Sequence, residues 1–353
     1  MTERRLRWAL IAVSMFAAVC VLAVVGVLWY WHAYLLGPSG DPFTRGPYLV
    51  RVDEHSAKLR WRVKGDARVE LVATSPDGTS TAAANGVFTG LQPATRYAWT
   101  ASVGGIGRAA GSFRTAPSDP AAPIRLVAFG DYGSGNDHEY AVGRVAAAQD
   151  PALLVTAGDN SYLVAASVLL DRNIFRPLRP LLANADPVID LGDHDVFLSG
   201  GRSIIDAFEL PGERFTVAYG PLQIVVLGVE AGADDVAYLQ QELARPGFTH
   251  RFVVVHKPLQ EGNPILPVLT AAKVDVVLSG HLHRYERRIV GGLLTFTVGT
   301  GGMGPGQAEF TKPSPGAQVS LLDYGFLRID IDGPHIRYAF IDERGRVLDQ
   351  AAR

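Results

Sequence analysis

The chain shows three successive patterns of hydrophobic and polar positions. Residues 8–31 form an apolar run without a charged side chain, which exceeds the roughly 20 residues that a membrane-spanning helix needs. Residues 48–114 alternate with a period of two, as in the stretch from Ala57 to Val63. From residue 124 onward, short β-branched runs are separated by helical or long connections. These patterns predict a transmembrane helix, a small all-β region and an α/β domain.

The apolar run has the features of an uncleaved signal anchor. Arg4, Arg5 and Arg7 precede it, and tryptophan and tyrosine residues bracket it, as expected for a cytoplasmic N-terminus and interfacial aromatic belts. We therefore predict a cytoplasmic stub and transmembrane helix over residues 1–36 of a single-pass cell-membrane protein. The remainder would be periplasmic or extracellular. The alternative is a cleaved signal peptide, although the run is long for one and no small-residue cleavage site follows it.

Proline-rich segments, the first of which also contains several glycines, separate the predicted domains. Residues 37–46 and 117–123 are predicted to be linkers, because glycine and proline interrupt regular structure. Residues 47–116 between them form the predicted all-β domain, and residues 124–353 form the α/β domain. Residues 301–316 are predicted to be a long loop, which either shapes substrate access or is disordered.

A short motif suggests the type of all-β domain. The stretch from Leu91 to Tyr97 resembles the tyrosine corner of fibronectin type III sandwiches, in which the hydroxyl bonds to the chain just upstream. The alternative is an ordinary proline turn before a strand with a core tyrosine. Trp61 on an earlier strand and Phe113 near the end of the region favour the fibronectin III-like sandwich.

Charge and cysteine content restrict the chemistry that the chain can perform. The sequence has 33 basic and 35 acidic residues and no basic run beyond the N-terminus, so nothing supports nucleic-acid binding. The single cysteine, Cys20, lies in the apolar run. A metal site in the α/β domain must therefore use oxygen and nitrogen ligands.

Polar clusters follow five apolar runs of the α/β domain. They are Gly130-Asp131-Tyr132-Gly133, Gly158-Asp159-Asn160-Ser161-Tyr162, Gly192-Asp193-His194-Asp195, His256, and Gly280-His281-Leu282-His283. Each cluster alone is weak evidence, because aspartate is common in turns. Open α/β sheets place their sites at the carboxyl ends of strands. We therefore predict one shared metal site rather than the alternative of five unrelated capped loops.

The order of the clusters resembles the pattern of the calcineurin-like metallophosphoesterases. These enzymes share Asp-x-Gly, Gly-Asp-x-x-Tyr, Gly-Asn-His and Gly-His-x-His motifs, which residues 124–345 match closely. Tyr162 is similar to a tyrosine that distinguishes the purple acid phosphatases, which also have a sandwich before the catalytic domain. The resemblance implies an α/β fold in which a metallophosphoesterase β-sandwich is flanked by helices and preceded by a fibronectin III-like sandwich and a transmembrane helix.

The resemblance also implies a role for each clustered residue. The implied ligands of a first ion are Asp131, Tyr162 and His283, those of a second ion are Asp193, His256 and His281, and Asp159 bridges them. Phenolate and carboxylates suit a hard trivalent ion and imidazoles suit divalent ions. The implied pair is therefore Fe(III) with Fe(II), Zn(II) or Mn(II). His194 is the implied catalytic residue, beside the ions, where it assists the leaving group.

One predicted ligand departs from the family pattern. Asp193 stands where the related enzymes have asparagine, which adds a negative charge if every carboxylate coordinates. Weaker attraction of an anionic phosphate, a changed metal preference or both would follow.

The implied function is hydrolysis of phosphate monoesters by a metal-activated hydroxide, in a membrane-anchored, acid phosphatase-like enzyme. Its substrate would be a phosphorylated small molecule or another phosphoester. The alternatives are a phosphodiesterase of the same superfamily and a weakly active, membrane-tethered binding protein.

Several nearby residues are secondary candidates. Asp195 and Glu286 are hypothesised to orient His194 or a metal-bound imidazole. Arg172, Arg176 and Arg202 are either phosphate ligands or, more simply, solvent-exposed.

Overall fold

The computed structural model describes residues 3–36, 42–162, 165–304 and 312–353. The chain divides into two compact units, Met1–Asp41 and Pro42–Arg353. Part of the predicted linker (37–41) and part of the predicted loop (305–311) lie outside the described residues.

The first unit contains one long helix, α1 (Glu3–Leu36). Its segment Val13–Trp31 has a mean hydropathy of 2.3 and is not buried against any part of the described chain. Because the segment is apolar on all sides, it has no polar face to present to water. Its length and composition suit a membrane anchor or a signal sequence.

Residues 43–114 form a sandwich of two antiparallel sheets. Its strands are β1 (Phe43–Val52), β2 (Ser56–Val63), β3 (Val69–Thr74), β4 (Ser80–Ala82), β5 (Val87–Thr89), β6 (Arg96–Val103) and β7 (Ile106–Arg114). One sheet has the order β1-β2-β5 and the other β4-β3-β6-β7. Strand β1 begins at Phe43, within the segment predicted to be a linker.

The interior of this sandwich follows the period-two pattern. Along β6, Tyr97, Trp99 and Ala101 are buried and the residues between them are exposed. The hydroxyl of Tyr97 accepts a hydrogen bond of 2.9 Å from the backbone N–H of Gln92. The contact predicted for a tyrosine corner is therefore confirmed, while the fibronectin type III assignment stays a prediction.

The remainder of the chain forms two larger sheets and the helices that cover them. The strands are β8 (Ile124–Phe129), β9 (Leu153–Thr156), β10 (Asp186–Ile189), β11 (Phe215–Tyr219), β12 (Leu222–Val226), β13 (His250–Val254), β14 (Val276–Ser279), β15 (Tyr285–Val290), β16 (Leu293–Val298), β17 (Ala317–Leu321), β18 (Gly325–Asp332), β19 (His335–Asp342) and β20 (Val347–Ala352). The helices are α2 (Asp137–Ala147), α3 (Ser167–Leu170), α4 (Arg179–Leu182), α5 (Asp193–Val196), α6 (Arg202–Phe208), α7 (Val236–Leu243) and α8 (Leu266–Ala271), with a π-helical turn at Asp171–Phe175 and a 3₁₀ turn at Ala233–Asp235.

Both large sheets combine parallel and antiparallel strands. The six-stranded sheet has the order β10-β9-β8-β18-β19-β20, and β8, β9 and β10 run parallel. The seven-stranded sheet has the order β11-β12-β13-β14-β16-β15-β17, and β12, β13, β14 and β16 run parallel. Parallel strands of one sheet end at the same edge, so the loops that follow them are neighbours.

The core lies between the two large sheets. Leu126 and Val155 of the first sheet and Phe252 and Leu278 of the second belong to one fully buried cluster. Further clusters join the outer faces to helices, with α2, α4 and α6 on the six-stranded sheet and α7 and α8 on the other. The predicted fold class, a β-sandwich flanked by helices and preceded by a smaller sandwich, is therefore confirmed.

Candidate metal centre

The predicted polar clusters converge at the carboxyl ends of five parallel strands from both large sheets. Asp131 follows β8, Asp159 follows β9, Asp193 follows β10, His256 follows β13 and His281 follows β14. The structure places these side chains in overlapping groups of potential metal ligands. The five clusters therefore form one site and are not unrelated turns.

Asp131, Tyr162 and His283 form a triangle of donor atoms. The Tyr162 hydroxyl lies 3.0 Å from Oδ1 of Asp131 and 3.0 Å from Nε2 of His283. The third side of the triangle, from His283 Nε2 to Asp131 Oδ1, is 3.4 Å. These are the three residues predicted to hold the first ion, and their donor atoms lie within 3.4 Å of one another.

Asp193, His256 and His281 form a second triangle. Oδ1 of Asp193 lies 2.9 Å from Nε2 of His256 and 3.2 Å from Nδ1 of His281. The three ligand atoms all lie within 4.8 Å of one another. The residues predicted for the second ion are therefore also together.

Asp159 lies between the two triangles. Its Oδ1 is 3.5 Å from Nε2 of His256, and Asp131, Asp159 and His256 have ligand atoms within 4.8 Å of one another. The same Oδ1 accepts a hydrogen bond of 3.0 Å from the backbone N–H of His194. This is the location expected of a bridging carboxylate.

Backbone carbonyls orient two of the imidazoles. Nδ1 of His256 lies 2.8 Å from the carbonyl oxygen of Ala157, and Nδ1 of His283 lies 2.9 Å from that of Gly304. Donation from Nδ1 turns Nε2 of each ring toward the site, where loss of the Nε2 proton would free a lone pair for a metal ion. Sequence reasoning missed both carbonyls, because every residue has one.

Three predicted ligands have left-handed backbone conformations. The φ angles are 54° at Asp131, 51° at Asp159 and 66° at His281, each of which costs a non-glycine residue about 1 kcal/mol. A hydrogen bond of 2.8 Å from the His281 N–H to Asp131 Oδ2 joins two of these turns. Such conformations concentrate at functional sites, where the surrounding structure holds them.

Burial makes the negative charge of the site costly. Burial, followed by the charges of Asp131 and Asp159, raises the pKa of Tyr162 well above its ordinary value. Burial also raises the pKa of Asp159 to about 6. Carboxylates and a phenol gathered at low exposure fit a multivalent cation, whose charge would offset this cost.

The same negative charges favour the ionised form of an imidazole, whereas they disfavour that of a phenol or a carboxyl group. Burial disfavours ionisation of His256, but the hydrogen bond to Asp193 and the charges of Asp131 and Asp159 raise its pKa to about 10. Hydrogen bonds from His256 and His281 hold the pKa of Asp193 well below its ordinary value. Asp193 is thus an acceptor for both rings.

His194 lies beside these ligands on the first turn of α5. Its ring is centred 4.6 Å from the ring of Tyr162, and it has a ligand-type nitrogen within 4.8 Å of Asp159 and Asp193 oxygens. It is only partly buried, so solvent reaches it. A side chain here is within reach of a group bound at the centre.

The structure gives Asp195 and Glu286 partners other than the hypothesised imidazoles. Asp195 accepts hydrogen bonds from the backbone N–H groups of Asn160, Ser161 and Gly192, at 2.9 to 3.1 Å. It therefore fastens the loop after β9 to the loop after β10. Glu286 accepts hydrogen bonds from the backbone N–H of Ser314 at 2.8 Å, from the hydroxyl of Ser320 on β17 at 3.3 Å and from the guanidinium of Arg284 at 3.3 Å. Among the described residues, neither carboxylate has a hydrogen bond to an imidazole.

The secondary arginine candidates differ in environment. Arg172 donates to the carbonyl of Ser134 at 2.5 Å and to Oδ1 of Asn173 at 2.6 Å. Arg176 is half-buried and Arg202 is exposed. Arg172 thus stabilises the loop after β8.

Comparison with known proteins identifies the fold. No family model matches the chain, and a search of curated proteins found no match. A purple acid phosphatase from yellow lupin (Lupinus luteus) seeds is 15% identical over 88% of this chain and 74% of its own, with a TM-score of 0.71. The structure of PhoD is 13% identical over 88% of this chain and 93% of its own, with a TM-score of 0.62. The chain has the metallophosphoesterase fold.

A third solved structure shares the fold over a smaller region. GAP50, described as the anchor in the inner membrane complex of Plasmodium, is 15% identical over 65% of this chain and 88% of its own, with a TM-score of 0.51. At these identities the similarity establishes the metallophosphoesterase fold alone. Activity depends on the residues of the site and does not follow from the fold.

Proposed function

We propose that this chain is a metal-dependent phosphoric ester hydrolase that acts on phosphate monoesters. The observation that best supports the proposal is the pair of ligand triangles on either side of Asp159. Structural cores rarely gather so many ionisable groups at one point, because burial of unpaired charge is unfavourable. A dinuclear centre gives each of these groups a ligand role.

In this proposal each triangle holds one ion. Asp131, Tyr162 and His283 hold Fe(III), and Asp193, His256 and His281 hold Fe(II), Zn(II) or Mn(II), with Asp159 shared between the two. The phenol and carboxylates suit the trivalent ion and the imidazoles suit the divalent one. When bound, such a pair supplies Lewis acidity and a nucleophile near neutral pH.

His194 acts as the general acid in this proposal. It lies at the rim of the centre, with its backbone N–H fixed by Asp159 and its ring against Tyr162. A protonated imidazole at this position can give a proton to a departing alkoxide. Its partial exposure allows the ring to regain that proton from water.

The proposed location is outside the cytoplasm, with α1 as the membrane anchor. The apolar segment Val13–Trp31 is long enough to span a bilayer, and arginines precede it. We also propose that residues 47–116 are a fibronectin type III-like domain and that residues 124–353 are the catalytic domain.

An absorption spectrum of the iron-reconstituted protein tests the proposal. Coordination of Tyr162 to Fe(III) should give a visible phenolate-to-iron charge-transfer band. The Tyr162→Phe variant should lose the band while keeping its fold, and the circular dichroism spectrum serves as the control. Wild-type protein that retains less than one transition-metal ion per chain after reconstitution would contradict the dinuclear centre.

A pair of chromogenic substrates tests the reaction type. We expect the metal-loaded enzyme to hydrolyse an aryl phosphate monoester faster than the matching diester. His194→Ala should lower kcat on an alkyl phosphate monoester, whose alkoxide needs a proton to depart, by about 10²- to 10⁴-fold, the range typical of general acid catalysis. Cleavage of the diester alone would favour a phosphodiesterase instead.

A further inference from the structure

We infer that Arg45, on the first strand of the small sandwich, is a positioning residue for Tyr162. It acts through Asp171 and Asn173, which lie on the π-helical turn between the two. The importance of this link for metal binding rests on the proposed function, in which Tyr162 is a ligand. The link itself is a set of contacts that can be tested without metal.

The first contact is a buried ion pair between β1 and the π-helical turn. Nε of Arg45 lies 2.6 Å from Oδ1 of Asp171, and Nη2 lies 3.1 Å from Oδ2. The exposed fractions of the two residues are 6% and 8%. The Arg45 guanidinium also lies over the Phe175 ring, 4.3 Å from its centroid. Because the ion pair is bidentate, it fixes the orientation of the Asp171 carboxylate relative to Arg45 as well as the distance between them.

The second contact joins the same turn to the loop that carries Tyr162. Asp171 is the first residue of the π-helical turn Asp171–Phe175. Two residues later, Nδ2 of Asn173 donates to Oγ of Ser161 at 3.0 Å and to the backbone carbonyl of Tyr162 at 3.3 Å. Isolated π-helical turns are rare and often occur at functional sites.

The far side of Tyr162 is held by the loop after β8. The Tyr162 N–H donates to the carbonyl of Gly133 at 2.7 Å. The backbone of Tyr162 is thus held between Gly133 and Asn173, and its hydroxyl meets Asp131 and His283. A shift of the π-helical turn would therefore displace the Tyr162 hydroxyl. Metal ligands must be placed to within a few tenths of an ångström, so such a displacement would weaken metal binding.

The small sandwich offers a matched control on another element. Glu209, just after α6, pairs with Lys58 at 2.5 Å and with Arg60 at 3.4 Å, and both partners are on β2. These contacts also join the sandwich to the α/β domain. They do not include the π-helical turn or the Tyr162 loop.

The experiment compares Arg45→Ala, Asn173→Ala and Glu209→Gln in the full chain. Hydrogen exchange of peptides covering residues 158–176 is measured on metal-free protein. Arg45→Ala and Asn173→Ala should speed exchange at the Tyr162 amide, whereas Glu209→Gln should not. Asn173→Ala leaves the sandwich contacts intact, so it tests the link even if Arg45→Ala proves poorly folded.

The affinity for Fe(III) then measures the effect of Arg45→Ala and Asn173→Ala on the proposed metal centre. Both variants should bind Fe(III) about tenfold more weakly in competition with a chelator, at the low end of the roughly 10- to 100-fold typical of residues that orient ligands. Arg45→Lys should restore only part of the affinity, because an ammonium lacks the fork of the guanidinium. The charge-transfer band should also shift in the variants that still hold iron.

Two results would overturn the inference. One is unchanged exchange at residues 158–176 in Arg45→Ala and Asn173→Ala, and the other is an equal increase in Glu209→Gln. Wild-type protein that binds no Fe(III) would instead contradict the proposed function, while the exchange comparison would still decide whether Arg45 positions Tyr162.

Discussion

Asp193 is the predicted ligand that departs from the pattern of the enzymes that the sequence resembles. Its Oδ1 accepts from two imidazoles, His256 at 2.9 Å and His281 at 3.2 Å. An asparagine oxygen could accept the same hydrogen bonds without the charge. The carboxylate therefore changes the electrostatics of the centre more than its geometry.

Asp193→Asn is expected to strengthen inhibition by inorganic phosphate. One less negative charge at the centre reduces repulsion of the anion. Two unit charges 4 Å apart interact by about 4 kcal/mol at an effective dielectric of 20. The Asp193 side chain is 42% exposed, so solvent screening leaves a smaller effect, about tenfold in the inhibition constant or about 1.4 kcal/mol.

The measurement is the inhibition constant for phosphate during hydrolysis of a chromogenic monoester. Asp66→Asn removes the same formal charge from an exposed turn of the small sandwich and should leave the constant unchanged. An unchanged constant in Asp193→Asn would mean that Asp193 does not bear a charge at the working centre.

The parallel strands could be predicted from sequence more readily than the antiparallel ones. Strand β9 spans Leu153–Thr156, directly before a predicted polar cluster, and a short apolar run followed by such a cluster is a strong local pattern. Strands β18, β19 and β20 were not predicted. β18 alternates polar and apolar residues at the end of the chain and pairs with β8, as in Leu327 with Ala128. Nothing local indicates such a distant partner.

Gly280→Ala should disrupt the centre without changing a ligand. A Cβ at this position, directly after β14, would lie 2.4 Å from Oδ2 of Asp131 and 2.4 Å from the carbonyl of Ala157. Both contacts are far too short, so the Asp131 carboxylate must move. We expect loss of most bound metal and a stability decrease of about 1–3 kcal/mol.

Metal analysis and thermal unfolding of the full chain would test this. Gly212→Ala is the matched control, because a Cβ there would meet no atom within 4 Å and the residue does not have a positive φ. Full metal content in Gly280→Ala would contradict the tight packing between the strand ends.

At the scale of the whole molecule, the sequence predicted the parts better than their association. The proline-rich segment 117–123 suggests independent domains, yet residues 42–353 form one compact unit. The Trp99 indole N–H donates to the carbonyl of Ala183 at 2.9 Å, and the Tyr48 hydroxyl donates to that of Ala207 at 2.6 Å. Hydrophobic periodicity indicates which face of a strand is buried, but not which distant segment covers it.

Asp186 lies at the junction between the small sandwich and the α/β domain, and it should make the stability of the protein depend on pH. It begins β10, is 4% exposed and, within the described chain, has one carboxylate oxygen without a hydrogen-bond partner. Burial raises its pKa from 3.8 to about 8, although a hydrogen bond from the Val52 backbone of β1 opposes the shift. The carboxyl group is at the amino end of its strand, away from the ligands at the carboxyl end.

The sign of the pH effect follows from which state holds the proton. Between about pH 4 and pH 8 the folded protein keeps the Asp186 proton and the unfolded chain releases it. The folded state therefore binds more protons in this range, and stability falls as the pH rises. At 1.36 kcal/mol for each pH unit, the loss by pH 8 is on the order of 4 kcal/mol, allowing for partial relaxation of the site.

Asp186→Asn should remove this contribution, because an amide accepts the Val52 hydrogen bond but does not ionise. Its Tm in the metal-free protein should be close to wild type near pH 4.5 and higher by at least about 5 °C at pH 8, with no further divergence at higher pH. The difference in Tm between the variant and the wild type reports the ionisation of Asp186 alone, because the other buried acids are the same in both proteins. Asp66→Asn, in an exposed turn, should follow wild type throughout. A constant difference across the pH range would show that Asp186 is ionised in the folded protein and that the junction contains a compensating cation.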